Sequence, residues 1–218
     1  MPVIEPCTKR VRAYRSGELV VDSIRTKLVW DVPHYPSYYF PTADVRAKKL
    51  DPAWLYPASP ASSAPELAEY VRLRWDAMDT WFEEDEEVFV HAHDPNKRID
   101  MLHGSRHVVV SLNGTTVAET RRPTIVYETG APVRFYMPKH DARMDLLTPT
   151  DKRTGCAYKG FARYWSLTLD GAVHANIAWS YATPLPDSVK VAGLIAFYDE
   201  VFDVTVDGVL RAKPVAEE

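Results

Sequence analysis

Cysteine is almost missing from this chain: its 218 residues include only Cys7 and Cys156. Neither belongs to a Cys-x-x-Cys pair, so there is no disulfide framework and a four-ligand structural zinc has no knuckle to occupy. No apolar run approaches the roughly 18 residues that cross a bilayer as a helix, and no membrane association is expected. Met1 to Arg15 mix charge with proline and lack the apolar stretch of a signal peptide, so the expected compartment is the cytoplasm. Positive charge is not in excess either. The 26 Lys and Arg against 30 Asp and Glu give a formal net charge of −4, which argues against a nucleic-acid partner. The hydrophobic content of 46% is ordinary for a folded chain, and the length suffices for a core without metal or disulfide support.

Aromatic residues are plentiful but uneven, with 12 Tyr and 6 Trp against 7 Phe. Most of these rings carry a polar tip that wants a partner when buried. Two readings stay open: a wet aromatic pocket, or strand formers on half-buried surfaces.

The chain resembles itself. Arg10 to Leu50 align with His107 to Leu147 without a gap at an offset of 97, with ten identities in 41 positions. Among them are Val11, Gly17, Arg25, Tyr39, Asp44 and Arg46, matched by Val108, Gly114, Arg122, Tyr136, Asp141 and Arg143; Asp31 lies over Glu128 as a like pair. A second block, Trp81-Phe82-Glu83-Glu84, lies over Phe197-Tyr198-Asp199-Glu200 at an offset of 116, which leaves 19 extra residues between the blocks of the second copy. The pattern predicts two units, residues 1–103 and 104–218, with the boundary inside Met101 to Arg106.

Short alternating runs predict a mostly β fold of two tandem, related units built from short antiparallel strands. Ser16-Gly17 and Asn113-Gly114 read as tight hairpin turns. Lys159 to Leu169 and Ala172 to Tyr181 alternate around Asp170-Gly171, with Val173, Ala175, Ile177, Trp179 and Tyr181 expected on one face. Each half is expected to close with a hairpin, turning at Asp94-Pro95-Asn96 and at Asp207-Gly208. One helix is expected in the first half, over about 65–80, because Leu67, Val71, Met78 and Trp81 fall near one helical face behind Pro65.

The second half carries Asn113-Gly114, Glu128, Tyr136-x-Pro138, Cys156-x-Tyr158-Lys159-Gly160-x-Ala162-x-Tyr164, Ala178-Trp179-x-Tyr181 and Ala196-Phe197-Tyr198. In these motifs it resembles the bacterial and fungal domain of unknown function numbered 427, with Ala157 where that family commonly has proline. The resemblance implies a β-tent-like fold, two small antiparallel sheets leaning together over a cleft. A nucleotidyltransferase name has been attached to the family, but no Gly-Ser followed by an Asp-x-Asp metal site is present here, and Asp203 and Asp207 are too far apart along the chain to share a metal. No activity follows from the resemblance.

Lys159 heads the candidate residues. A lysine between Tyr158 and Gly160 can act as general base or Schiff-base amine if partly desolvated, with Glu128 as its counter-charge; the alternative is a permanent structural pair or a strand-edge lysine. Trp179 and Tyr181 share a strand face and can wall a ligand or pack a core. Tyr136 recurs as Tyr39, which favours a structural role. Cys156 is a nucleophile candidate without a histidine at a recognisable spacing. His91, His93 and Asp94 suggest a metal but are placed at a hairpin tip, so no metal and no cofactor are expected. The acidic run Glu83 to Glu87 reads as a solvated face. The resulting expectation is a small-molecule cleft in the second repeat around Lys159, Glu128, Tyr158, Trp179 and Tyr181, serving either an enzyme or a non-catalytic ligand-binding or protein-interaction module. An oligomer is compatible with the sequence.

Overall fold

The computed structural model of the chain describes residues 3–47, 50–57 and 64–214, which fold as short strands in two compact units, Met1–Asn96 and Lys97–Glu218. The first unit contains β1 (Val3–Pro6), β2 (Val11–Arg15), β3 (Glu18–Ser23), β4 (Lys27–Val32), β5 (Tyr35–Pro41), β6 (Tyr70–Val71), β7 (Thr80–Glu83) and β8 (Glu86–Val88). The second contains β9 (Ile99–His103), β10 (Val108–Leu112), β11 (Thr115–Thr120), β12 (Thr124–Glu128), β13 (Arg134–Tyr136), β14 (Leu147–Cys156), β15 (Gly160–Leu169), β16 (Ala172–Ser180), β17 (Ile195–Phe197), β18 (Asp203–Val206) and β19 (Val209–Leu210). All strand pairs named here are antiparallel.

The sheets repeat. The orders β3-β2-β7-β8 and β1-β4-β5-β6 of the first unit are matched in the second by β11-β10-β18-β19 and β9-β12-β13, and the second unit adds β14-β15-β16-β17. Val11 pairs with Ser23 as Val108 pairs with Thr120, and both hairpins slip register at the same place, after Ala13 and after Val110. A polar clip recurs as well. Ser23 Oγ donates to Asp44 Oδ2 at 2.7 Å, while Thr120 Oγ1 donates to Asp141 Oδ2 at 2.7 Å. Arg25 and Arg122 add charge to the same two carboxylates. The repeated Arg and Asp identities therefore fasten the chain after β5 and β13 onto the neighbouring hairpin. In each unit the two matching sheets share one core: Val11, Ala13, Val20 and Val21 meet Leu28, Tyr38 and Phe40, and Val108, Val110 and Val117 meet Ile125 and Phe135.

Three expectations are corrected by the strand pairing. Ala13 pairs with Trp81 whereas Val110 pairs with Val204, so Trp81 corresponds to Val204 and not to Phe197. The shift there is 123 rather than 116, and the second unit holds 26 extra residues, not 19. Phe197 instead lies in β17 against Ala178 of β16. The closing hairpin of the first unit turns between Glu83 and Glu86, which pair, and not at Asp94. The compact units divide after Asn96, and β9 pairs along the whole of β12 within the second. Finally, 65–80 is not a continuous helix. Single 3-10 turns at Pro65–Leu67 and Trp75–Ala77 flank β6, whose Val71 pairs with Phe40. Leu67 is buried in one cluster while Met78 and Trp81 belong to another, so the chain must extend between them.

The alternation expected along β16 also breaks. Asn176 has φ of 55°, and the pairing shifts from Leu167–His174 to Trp165–Ala178 around it. This bulge leaves Val173 exposed while Ile177, Ala178 and Trp179 are all buried.

Ser16-Gly17 and Asn113-Gly114 adopt φ of 50° and 77°, and 51° and 78°, the left-handed pair that a two-residue hairpin demands. A Cβ added at Gly114 would meet nothing within 4 Å, so any loss on substitution is conformational. Gly114→Ala is expected to lower stability by about 1 kcal/mol with the fold unchanged, as read by chemical denaturation. An unchanged midpoint would show that the turn is not left-handed in solution.

Candidate functional site

Lys159 is set by a pinned turn. Cys156 pairs with Gly160, so Ala157, Tyr158 and Lys159 form the turn between β14 and β15, and Lys159 precedes β15 rather than lying in it. Gly160 has φ of +87°, and a Cβ there would face Leu185 N at 3.5 Å and Thr183 O at 3.7 Å. The Leu185 N–H donates to Lys159 O at 3.3 Å, and Ser188 Oγ donates to Tyr158 O at 2.8 Å. Ala157 is fully buried. Clamped from both sides, the turn buries the Lys159 side chain.

Its Nζ donates to Glu128 Oε2 at the end of β12. The other oxygen of Glu128, Oε1, lies 3.0 Å from Lys97 Nζ, and the side chains of Lys97, Glu128 and Lys159 are 8%, 14% and 9% exposed. Burial alone would push the Glu128 carboxyl up. The charges and hydrogen bonds of Lys159 and Lys97 outweigh it and hold the group below its usual range. The result is a nearly buried triad of two cations on one carboxylate.

The aromatic candidates lie in a packed cluster. Tyr136, Trp179 and Tyr181 are buried together with Tyr164, Val126 and Ala196. Trp179 Nε1 donates to Tyr136 Oη at 2.9 Å, and Tyr198 closes on the Trp179 ring at 4.6 Å between centroids. Burial pushes the Tyr136 and Tyr181 hydroxyls well above the ordinary phenol range. Tyr158 is half-buried, with Lys97 Nζ at 5.8 Å from its ring centre. Cys156 is a free thiol at the end of β14. Clefts lined by Glu119, Arg122 and Asp141 and by Tyr127, Phe135 and Arg211 open elsewhere in this unit, and neither is lined by Lys159.

Sequence reasoning missed Lys97 and two polar clusters of the first unit. Asp31, the counterpart of Glu128, accepts from Arg72 Nη1 at 3.1 Å, so each unit brings a cation to the same strand position. Glu83 is buried and accepts from Lys9 and from the Tyr38 hydroxyl, with His93 Nδ1 at 3.0 Å. His93 and Asp94 are thus not solvated tip residues: Asp94 is buried and accepts the Asn96 N–H at 2.8 Å. Among the described residues no three metal-ligating side chains gather as a metal site.

Burial opposes ionisation of Glu83, but hydrogen bonds from His93, Lys9 and Tyr38 win and lower its pKa from 4.5 to about 2. A depressed carboxylate contributes stability that is complete above its unfolded value and is lost as pH falls through the folded one. Glu83 is therefore expected to supply about 3 kcal/mol at neutral pH that disappears between about pH 5 and 2. Thermal denaturation of Glu83→Gln across this range should show a smaller acid loss than the parent chain. Parallel pH profiles would mean that Glu83 does not ionise differently on folding.

Residues 3–53 and 100–208 match the family model described as a domain of unknown function (DUF427), and residues 54–99 fall outside that match. A search of curated proteins finds no match. No helix among the described residues is long and apolar enough to cross a membrane. With β1 to β5, β10 to β18 and all of β9 but Ile99 inside the matched stretches, the chain belongs to this DUF427 family.

Proposed function

We propose that the second unit is a non-catalytic binding module for a small anionic metabolite, held by Lys159 and Lys97 with Glu128 as their internal counter-charge. The observation that carries this reading is the convergence of two nearly buried ammonium groups, Lys159 and Lys97, on the one carboxylate of Glu128. Buried ion pairs rarely repay their desolvation, and apolar residues of similar volume would serve a core at least as well. Two ammonium groups brought together in this way are a ready partner for a carboxylate or phosphate oxygen.

The same geometry weighs against the base and Schiff-base roles for Lys159. Its Nζ is engaged as a donor to an ionised carboxylate, and a nucleophilic amine would have to give up both the proton and that bond. The two free thiols, Cys7 and Cys156, favour a reducing compartment, and the module accordingly acts in the cytoplasm. The shared register of the two units favours their origin by internal duplication, after which only the second acquired the Cys-x-Tyr-Lys-Gly hairpin.

Removing Lys159 leaves Glu128 paired with Lys97, so Lys159→Met is expected to fold. It should bind acetate, pyruvate and inorganic phosphate at least about tenfold more weakly than the parent for whichever of these the parent binds, by calorimetry. Borohydride with small aldehydes should leave Lys159 unmodified. A variant that melts earlier with anion affinity unchanged, or a parent chain that binds none of the three, would make the lysine structural. A reduced adduct on Lys159 would restore the enzyme reading.

A further inference from the structure

The first unit holds a cleft of about 230 Å³ that the matched family stretches largely exclude. Its floor is aromatic. Trp75 and Trp81 stack at 4.7 Å between centroids with planes 11° apart, and Tyr38 lies against both. Tyr35 stands at the rim, 53% exposed, with its ring edge-on to His91 at 5.1 Å. Among the described residues of the lining, Arg72 is the only Lys, Arg, Asp or Glu.

Two features go beyond ordinary packing. The Arg72 guanidinium carbon lies over the Tyr56 ring, 3.9 Å from its centre, and Nη1 is spent on Asp31, while Nε and Nη2 have no hydrogen-bond partner among the described residues. A guanidinium with two adjacent donors in reserve matches the two oxygens of a carboxylate. The second feature is strain at the rim. Val90 has φ of 72°, a conformation that β-branched residues avoid, and the His91 N–H reaches back to Phe89 O at 2.8 Å to close a tight turn around it. Strain of this kind persists where surrounding structure enforces it, and it concentrates at ligand clamps.

We infer that this cleft is a binding site for a flat aromatic carboxylate, with the ring on Tyr38, Trp75 and Trp81 and the carboxylate on Arg72. The volume falls below the roughly 300 to 1,000 Å³ of drug-sized pockets, which limits the occupant to one ring system and its acid group. The site shares no residue with the Lys159 triad and stands or falls separately from it.

The test uses the full chain, with 2-naphthoate and its neutral analogue 2-naphthamide as probes and calorimetry as the readout. Naphthoate should bind saturably at one site per chain and at least about tenfold more tightly than the amide, and Arg72→Gln should remove that preference. Lys159→Met should leave naphthoate binding unchanged. Tyr35→Ala removes an exposed wall that the fold does not need, so if Arg72→Gln fails to fold, a loss of naphthoate affinity in Tyr35→Ala supports the site and unchanged affinity overturns it. The inference is also overturned if naphthoate does not bind, if a folded Arg72→Gln binds it as well as the parent does, or if Lys159→Met abolishes binding, which would place the ligand in the second unit.

Discussion

A charge set into a sheet needs a partner, and in both units of this protein that partner comes from outside the pair of strands carrying it. Asp31 and Glu128 stand at matching positions near the ends of β4 and β12. Arg72 reaches Asp31 from just beyond β6, while Lys159 reaches Glu128 from the turn between β14 and β15. These two stretches have no strand order in common. What they have in common is a cation delivered to one place over a repeated scaffold, nearly buried at Glu128 and more exposed at Asp31. In the first unit β6 is anchored by pairing Val71 with Phe40; in the second the turn is pinned through Tyr158 and Lys159 backbone oxygens.

The repeated scaffold was legible in the sequence because its constraints are local and periodic. The turn glycines, the alternating valines and the Arg and Asp of the polar clip all lie within the ungapped stretch, and they translate directly into matching pairing registers. What followed the ungapped stretch was misread for specific reasons. The runs Trp81-Phe82-Glu83-Glu84 and Phe197-Tyr198-Asp199-Glu200 look alike, yet one forms an inner strand beside β2 and the other ends the added sheet. The apolar spacing of 65–80 suits a helix, but its side chains serve two different clusters, and tertiary packing overrides a weak local preference. The long β14 left no trace because most of its residues are exposed, and a strand without a buried face has no period to read.

The site was legible to the extent that its members share one motif. Lys159 and Glu128 could be paired because both belong to the recognisable half, but Lys97 has no motif and arrives just before β9. Glu83 was hidden in a run of acids. Alternation along β7 puts Trp81 and Glu83 inward together, so the strand period that buries the tryptophan also buries the carboxylate, while Glu84 to Glu87 stay outside. The signal was present, but the composition of the run masked it.

The two units answer the shared constraint with different cations, and the difference reaches their chemistry. Ammonium groups are compact point charges, so two of them can share one carboxylate in little space. Guanidinium is planar and weakly hydrated, so Arg72 can lie on a tyrosine ring, spend one nitrogen on Asp31 and keep an edge in reserve. The aromatic residues divide in the same way. In the second unit the added sheet brings Trp179 and Tyr181 into a buried cluster with Tyr136, whose hydroxyl oxygen accepts from the Trp179 indole N–H. Among the described residues the first unit has no such sheet, and Trp75 lines a cleft together with Tyr38 and Trp81, which are also nearly buried members of its core. The excess of Tyr and Trp over Phe therefore has two physical causes in one chain, since such rings build the core of both units and in the first they also form the wall of a cleft.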